Sequence, residues 1–167
     1  MDSAPELAAL ASRHNTTVQL SGDQAFVEVP SHSIVAELKS LWEQGWKVLA
    51  DLTAVDELGR GAPSRFTVVY QLMHVPTWRR LRLKSRVPAD TRHPTVTGVF
   101  EAANFAEREV YDMFGIRFDG HPNLKRFLCP DDFEGFPLRK DFPLKGRGYR
   151  DDFPNYHRDL LEKTAES

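Results

Sequence analysis

Residues 107–144 carry the densest run of chemistry-bearing side chains: EREVYDMFGIRFDGHPNLKRFLCPDDFEGFPLRKDFPL. Within it, His121 stands ten residues before Asp131, and Asp131, Asp132 and Glu134 form an acidic cluster. An imidazole and carboxylates can hold a divalent cation or act as general acid and base. The reaction such a set would support is metal-assisted hydrolysis. The spacing matches neither an EF-hand loop nor H-E-x-x-H. Pro130-Asp131-Asp132 also has a plainer reading, because Pro and Asp start turns and a carboxylate caps the amides that follow. His121-Pro122 likewise reads as a turn. Cys129 lies between Leu128 and Pro130, neighbours that suit a small buried side chain. A nucleophilic thiolate needs electropositive, accessible surroundings. GRGAPSR (59–65) and GRGYR (146–150) lack the phosphate-loop pattern, and no G-x-G-x-x-G joins a strand to a helix.

The same stretch holds two dense charge groups, Glu107-Arg108-Glu109 and Arg139-Lys140-Asp141. On a helix, Arg108 and Asp112 stand at i and i+4 and can form a surface ion pair worth about 0.3–0.5 kcal/mol. That gain is too small to account for so dense a pattern. Arg108 and Glu109 are therefore expected to bond elsewhere, to the following tail or to a partner. Arg139 offers a planar fork that fixes a carboxylate or backbone carbonyls in one geometry.

The elements that would position these groups follow from periodicity. Residues 5–14 read as a short helix with Leu7, Leu10 and Ala11 on one face. Segments 17–20 and 24–30 flank Ser21-Gly22-Asp23, a hairpin turn. A helix over 32–44 places Ile34, Val35, Leu38, Leu41 and Trp42 in one stripe, with Ser31 or Ser33 to cap it and Gly45 to end it. Strands are expected over 46–56, 65–75 and 78–87, with a polar loop at 56–64. The middle strand has apolar residues on both faces, as a strand buried on both sides would. In 78–87, Leu81, Leu83 and Val87 alternate with Arg80, Arg82, Lys84 and Arg86, so four cations share a face. That face is either a solvated surface or a docking surface for an acidic partner or lipid headgroups. A loop over 88–94 leads to a third helix over 95–114, broken near Asn104 and ended by Gly115.

Beyond Gly120 the pattern is irregular. Pro122, Pro130, Pro137, Pro143 and Pro154 block long helices and central strands. Yet Phe127, Phe133, Phe136, Phe142, Tyr149, Phe153 and Tyr156 make it too aromatic for a disordered linker. Such side chains need a surface, either the domain's own or a neighbour's. The order αββαβββ, then a helix and a tail, predicts an α+β fold. It is a single two-layer domain, a mixed β-sheet with helices on one face, followed by an extended irregular C-terminal arm. The core is assigned to 1–118 and the arm, packing on a neighbouring subunit, to 119–167.

The chain has 167 residues, 41% hydrophobic, with a net charge of −2. That size favours one domain with a real core, and the balanced charge argues against a nucleic-acid coat. One cysteine cannot make an internal disulfide or by itself hold a zinc or iron–sulfur site. A reducing compartment is the expectation. The first fourteen residues fit neither a signal nor a transit peptide, and no stretch approaches the ~20 apolar residues of a membrane span.

At these motifs the chain resembles the C-type subunits of proton-pumping NADH–quinone oxidoreductase, the 30 kDa subunit family of respiratory complex I. The residues that carry the resemblance are Glu107-Arg108-Glu109, Asp112-Met113-Phe114, Gly115-Ile116, His121-Pro122, Lys125-Arg126, Phe127-Leu128 and Pro137-Leu138-Arg139-Lys140-Asp141. DLTAVD (51–56) is also similar. Phe136 departs from the family, which often has His there. The resemblance implies a peripheral-arm subunit with no active site and no metal or cofactor of its own, FMN, iron–sulfur clusters and quinone belonging to other subunits. It implies packing on the 49 kDa-type (D-type) subunit, with the B-type and I-type subunits nearby and the C-terminal arm wrapping its neighbour. It implies peripheral attachment to the cytoplasmic side of the inner (plasma) membrane, and no nucleic acid. The residues expected to bind a partner or hold the structure are Glu107, Arg108, Glu109, Asp112, His121, Lys125, Arg126, Arg139, Lys140 and Asp141, which carry the resemblance, and the arm aromatics Phe133 and Phe136. The equivalent subunit of a ferredoxin-, hydrogenase- or formate-linked complex is the near alternative. A metal-dependent hydrolase using His121, Asp131, Asp132 and Glu134 is the distant one.

Overall fold

The structure, a computed structural model, describes residues 5–21 and 24–144. Gly22-Asp23, GRGYR (146–150) and the expected arm aromatics Tyr149, Phe153 and Tyr156 lie outside the described residues. Helix α1 (Pro5–Arg13) is followed by strands β1 (Gln19–Ser21) and β2 (Gln24–Glu28) and helix α2 (Ile34–Glu43). Then come β3 (Val48–Asp56), β4 (Phe66–His74), β5 (Arg79–Val87), the short β6 (Arg92–Pro94), α3 (Ala103–Phe114) and β7 (Arg117–Asp119).

Five strands form one mixed sheet in the order β1-β2-β5-β4-β3. Every neighbouring pair is antiparallel except β2 with β5, where Phe26 pairs with Arg82 in parallel register. The period-two pattern of β5 sets its faces: Leu81, Leu83, Ser85 and Val87 are buried while Arg82, Lys84 and Arg86 are half-exposed and Arg80 is exposed. In β3 a bulge between Leu49 and Asp51 lets Leu49 and Leu52 both face inward. Leu7, Leu10, Ile34, Leu38 and Leu41 of α1 and α2, with Ala103, Val110 and Phe114 of α3, complete one core against that sheet face. The expected two-layer α+β arrangement is what is found.

Five local expectations are corrected. The middle strand is not buried on both sides: Val69 and Met73 of β4 are only half-buried, because no layer among the described residues covers their face. Neither Ser31 nor Ser33 caps α2 through its side chain; Ser31 Oγ instead lies 2.7 Å from His93 Nδ1. Trp42 is not in the core stripe but 40% exposed, with the Lys47 ammonium over its ring. The third helix begins at Ala103, and residues 88–94 are not all loop, since β6 pairs in parallel with β7. Thr95, Val96, Thr97 and Gly98 are poor helix formers, and their backbone is used otherwise.

Candidate functional site

Helix α3 presents two carboxylates that are both fully buried, Glu107 and Asp112. Five residues apart on a helix, they point about 140° away from each other. Each anchors a different segment of chain.

Glu107 Oε1 accepts the Val96 amide at 2.7 Å and Oε2 accepts the Thr95 hydroxyl at 2.5 Å. It thereby ties the turn before α3 to the helix. Burial pushes its carboxyl up to about 7, against the pull of those two bonds. Beside it runs a buried polar chain. The Tyr70 hydroxyl is 2.7 Å from His93 Nε2, and Ser31 Oγ closes on the other ring nitrogen. A neutral imidazole donates at one nitrogen and accepts at the other, so both hydroxyls are satisfied. Burial lowers His93 to about 4, and burial together with the Glu107 charge raises Tyr70.

Asp112 faces the arm. Its Oδ2 accepts the amides of Phe127, Leu128 and Cys129 at 3.1, 2.8 and 3.0 Å, and its Oδ1 accepts Arg126 Nη1 at 2.9 Å. Burial pushes this carboxyl up, but the three amides and the Arg126 charge outweigh it and hold the group below its ordinary 3.8. Arg108, one turn earlier on the same face, donates to the carbonyls of Lys125 and Arg126 at 3.0 and 3.4 Å. Its guanidinium lies 4.9 Å from the Phe127 ring centroid and 5.7 Å from that of Phe105. Arg108 thus bonds to the following tail, as expected, and the plainer Arg108–Asp112 surface pair is not formed. The i, i+4 spacing holds, but each side chain grips backbone groups of opposite polarity on the arm.

The arm then crosses the end of α3. Gly115, at φ +75, ends the helix, and a Cβ there would meet Phe136 and Arg139 at 2.6 Å. Arg139 Nε donates to the Phe114 carbonyl at 2.5 Å, and the Leu138 amide donates to the Met113 carbonyl at 3.1 Å. These satisfy carbonyls that any helix end leaves open and place a cation at the negative end of the dipole. Arg126 lies against Phe136, which packs edge-on to Tyr111. Phe133 and Phe142 stack with centroids 5.8 Å apart.

The last anchor is Asp56, buried at the end of β3. It accepts two bonds from Arg65, at 3.1 and 3.0 Å, and the amides of Leu58 and Lys140, at 3.0 and 2.9 Å. Burial opposes its charge, yet the bonds from Arg65, Lys140 and Leu58 leave the carboxyl below its ordinary value. Arg65 also pairs with Asp141 at 2.9 Å, and Lys140 Nζ reaches the Leu58 carbonyl. Sequence reasoning missed Asp56, Arg65, Tyr70 and His93. The one available signal was DLTAVD followed by a polar, Gly-rich loop, which places an Asp at a strand end beside a turn.

His121, Asp131, Asp132 and Glu134 do not assemble as a cation site. Among the described residues no three His, Cys, Asp or Glu side chains converge in that way. His121 Nε2 donates to the Asn104 carbonyl at 3.1 Å and Nδ1 accepts the Asn123 amide at 3.0 Å, as a turn-stabilising ring would. Cys129 is half-buried, and burial with the nearby Asp112 charge raises its thiol, the opposite of nucleophile activation. Glu109 and Lys125 are exposed.

The fold and site thus define a class: a two-layer α+β domain whose C-terminal arm is pinned to it by buried carboxylates. Residues 27–148 match the family model described as respiratory-chain NADH dehydrogenase, 30 Kd subunit, and the chain belongs to that family. The C-type subunit of the NADH-quinone oxidoreductase of Trichlorobacter lovleyi is 51% identical over 124 residues, covering 73% of this chain and 76% of the relative. A solved trypsin-resistant fragment (1–134) of Nqo5 superposes with a TM-score of 0.66 at 36% identity, over 72% of this chain and 98% of the fragment. A chain of the membrane-bound sulfane sulfur reductase, an archaeal respiratory membrane complex, superposes with a TM-score of 0.71 at 27% identity, over 86% and 87%. Two Thermus thermophilus relatives are longer, and the aligned part spans 61% of each.

Proposed function

We propose that this chain is a peripheral-arm subunit of an NADH–quinone oxidoreductase and that it supports electron transfer from NADH to quinone without an active site of its own. The observation that carries the reading is the two-sidedness of the arm. Its inner side is tied down by Asp112, Arg108, Arg139 and Asp56, while its outer side leaves large apolar side chains in water. Phe127, Leu128 and Leu138 are 42%, 54% and 54% exposed, and Phe105 beside them is 64% exposed. Large apolar side chains left in water on a fixed backbone point to a protein interface. A neighbour that covers it meets a rigid template, so little ordering entropy is lost on docking.

On this reading the neighbour is the 49 kDa-type (D-type) subunit, which lines the quinone cavity, with the B-type and I-type subunits close by. Residues 119–167 form the arm that packs on it. Flavin, iron–sulfur clusters and quinone belong to those and other subunits. No helix among the described residues is long and apolar enough to cross a membrane. Attachment to the cytoplasmic side of the inner (plasma) membrane then runs through the complex. The arm's task is mechanical: it holds the wall of a site whose chemistry depends on geometry kept within about half an ångström.

Isolation of the tagged full chain from membranes in gentle detergent, with mass spectrometry and NADH-driven quinone reduction, tests this. Co-purification with NADH-oxidising and quinone-site subunits is the expected result. Recovery alone from the soluble fraction would overturn it. The likeness to the sulfane sulfur reductase chain favours a second reading, in which the parent complex uses another donor. That case would appear as a large complex lacking an NADH-oxidising subunit.

A further inference from the structure

The sheet face turned away from the helices carries a line of cations that the fold fixes in place but leaves largely uncompensated. β5 sets Arg80, Arg82, Lys84 and Arg86 on that face, at alternate positions. Successive members stand about 6.6–6.8 Å apart along a strand. Among the described residues only Arg86 has a carboxylate partner, Glu28, at 2.6 Å. Arg82 is held by two neutral amide oxygens, Gln24 Oε1 at 2.7 Å and Gln71 Oε1 at 3.1 Å. Neutral acceptors orient a guanidinium without cancelling its charge. Lys84 Nζ lies 3.8 Å over the Phe26 ring, which also fixes a cation without neutralising it. Asp51, in register with Gln71 and so two strands from Arg82, is the nearest carboxylate on the β3 side.

Between and beside these cations lie Val55, Val69 and Met73, half-buried, with no helix or strand among the described residues packed over them. Trp78, at the foot of β5, is 74% exposed and held at φ +53. A bulky residue kept in the left-handed region with its ring in water is a strained feature of the kind found at binding sites.

We propose that this sheet face docks an acidic protein segment, with carboxylates against Arg80, Arg82 and Lys84 and an apolar side chain against Trp78. Charge complementarity selects the partner's chemistry. Alternate residues of an extended segment repeat at the spacing of the ladder, and residues four apart on a helix repeat at about 6 Å, close to it. A lipid surface fits less well. Interfacial binding inserts a broad apolar face below a rim of cations, whereas here the apolar residues sit low between long cationic side chains. The surface lies on the opposite side of the sheet from α3, so it is separate from the arm interface and can be occupied together with it.

The test places the photo-reactive residue benzoylphenylalanine at Met73, whose strand partner is Arg80, in cells that make the full chain. The linked peptide is then sequenced. The expected product is a polypeptide segment with three or more Asp or Glu residues at i, i+2 or i, i+4 spacing. Its yield should fall at least tenfold in Arg82→Glu/Lys84→Glu and, when labelling is repeated in a lysate of the same cells, should fall as ionic strength is raised to about 0.5 M, where exposed charges are screened. Lys84→Arg should keep it, and reversing the partner's acids should restore it in the double variant. A partner outside any respiratory complex would still support the docking surface, and the parent-complex reading would then stand or fall separately, on the isolation from membranes. Lipid adducts alone, a segment without that acidic spacing, no adduct, or a yield indifferent to charge reversal and salt would each overturn the proposal.

Discussion

Asp112→Asn is the sharpest test of the arm clamp. The substitution keeps size and shape, so no cavity forms. It removes a buried charge that accepts three arm amides and Arg126. The new amide NH2 must face either the Arg126 guanidinium or the row of amides, and each arrangement sets donor against donor. Hydrogen bonds to charged groups contribute about 1.5–3 kcal/mol each, and breaking a buried pair costs about 3–5 kcal/mol. Part of that is recovered, because Phe127 and Leu128 are exposed and their amides can turn to water. A net loss of about 3 kcal/mol is the working figure. It is smaller than the roughly 5–15 kcal/mol that holds a domain folded, so the arm should lift while the sheet stays intact. Amide hydrogen exchange read by NMR should show protection at Phe127, Leu128 and Cys129 falling about a hundredfold, with β4 and β5 unchanged. An acid titration gives a second reading. A carboxyl whose folded pKa is depressed stabilises above its unfolded pKa and loses that contribution as pH falls through the folded value. The native arm should therefore lose protection as pH drops from about 4 downward, and the Asp112→Asn arm should lack that step. Unchanged protection at 127–129, or equal losses in the arm and the central strands, would refute the reasoning.

Three further outcomes are expected. Gly115→Ala should lower the urea midpoint, because the left-handed conformation costs an L-residue about 1–2 kcal/mol and the new Cβ displaces Phe136 and Arg139; an unshifted midpoint would mean that the arm does not rest on the helix end. Glu107→Gln should change the pH profile of stability. The raised Glu107 carboxyl makes stability fall between about 4.5 and 7, while the depressed His93 makes it rise between about 4 and 6.5, so the two oppose each other in the native chain. The glutamine, which can still meet Val96 and Thr95, should unmask the rise, and identical denaturation profiles across that range would count against it. Arg139→Ala should cost about 2 kcal/mol through loss of its charged bond to the Phe114 carbonyl and should lower the yield of assembled complex before altering any redox potential. Full yield with lost quinone reduction would argue against a purely supporting role.

The sheet and the first two helices were legible because their apolar residues obey a single period. β5 alternates cleanly, α2 carries a stripe at helical spacing, and both fold where that spacing puts them. α3 was drawn too long because apolar residues at 96, 99 and 100 fit a helical pattern locally, while Glu107 takes the Val96 amide for a turn. The fate of Asp112 was not legible at all. Local rules offer it Arg108 four residues away, but its actual partners lie 14 to 17 residues further on, in a segment with no period to place it. Asp56 and Lys140 are separated by 84 positions, and nothing in either neighbourhood names the other. His93 stands in a Pro-containing stretch with no motif around it, and only the tertiary fold brings Tyr70 of β4 to it.

The single parallel pairing in the sheet also governs the order in which the chain can fold. β3, β4 and β5 form a meander joined by short connections, so their pairing closes small loops. β2, made first, must wait until β5 exists before it can dock. Closing that long loop is the slow, entropically costly step of this topology. Until it happens, the free edge of β5 is a template for pairing with other chains. Arg80, Arg82, Lys84 and Arg86 crowd that edge with like charge, so two nascent chains repel where they would otherwise join. The same side chains therefore act as gatekeepers against aggregation while the sheet is still incomplete.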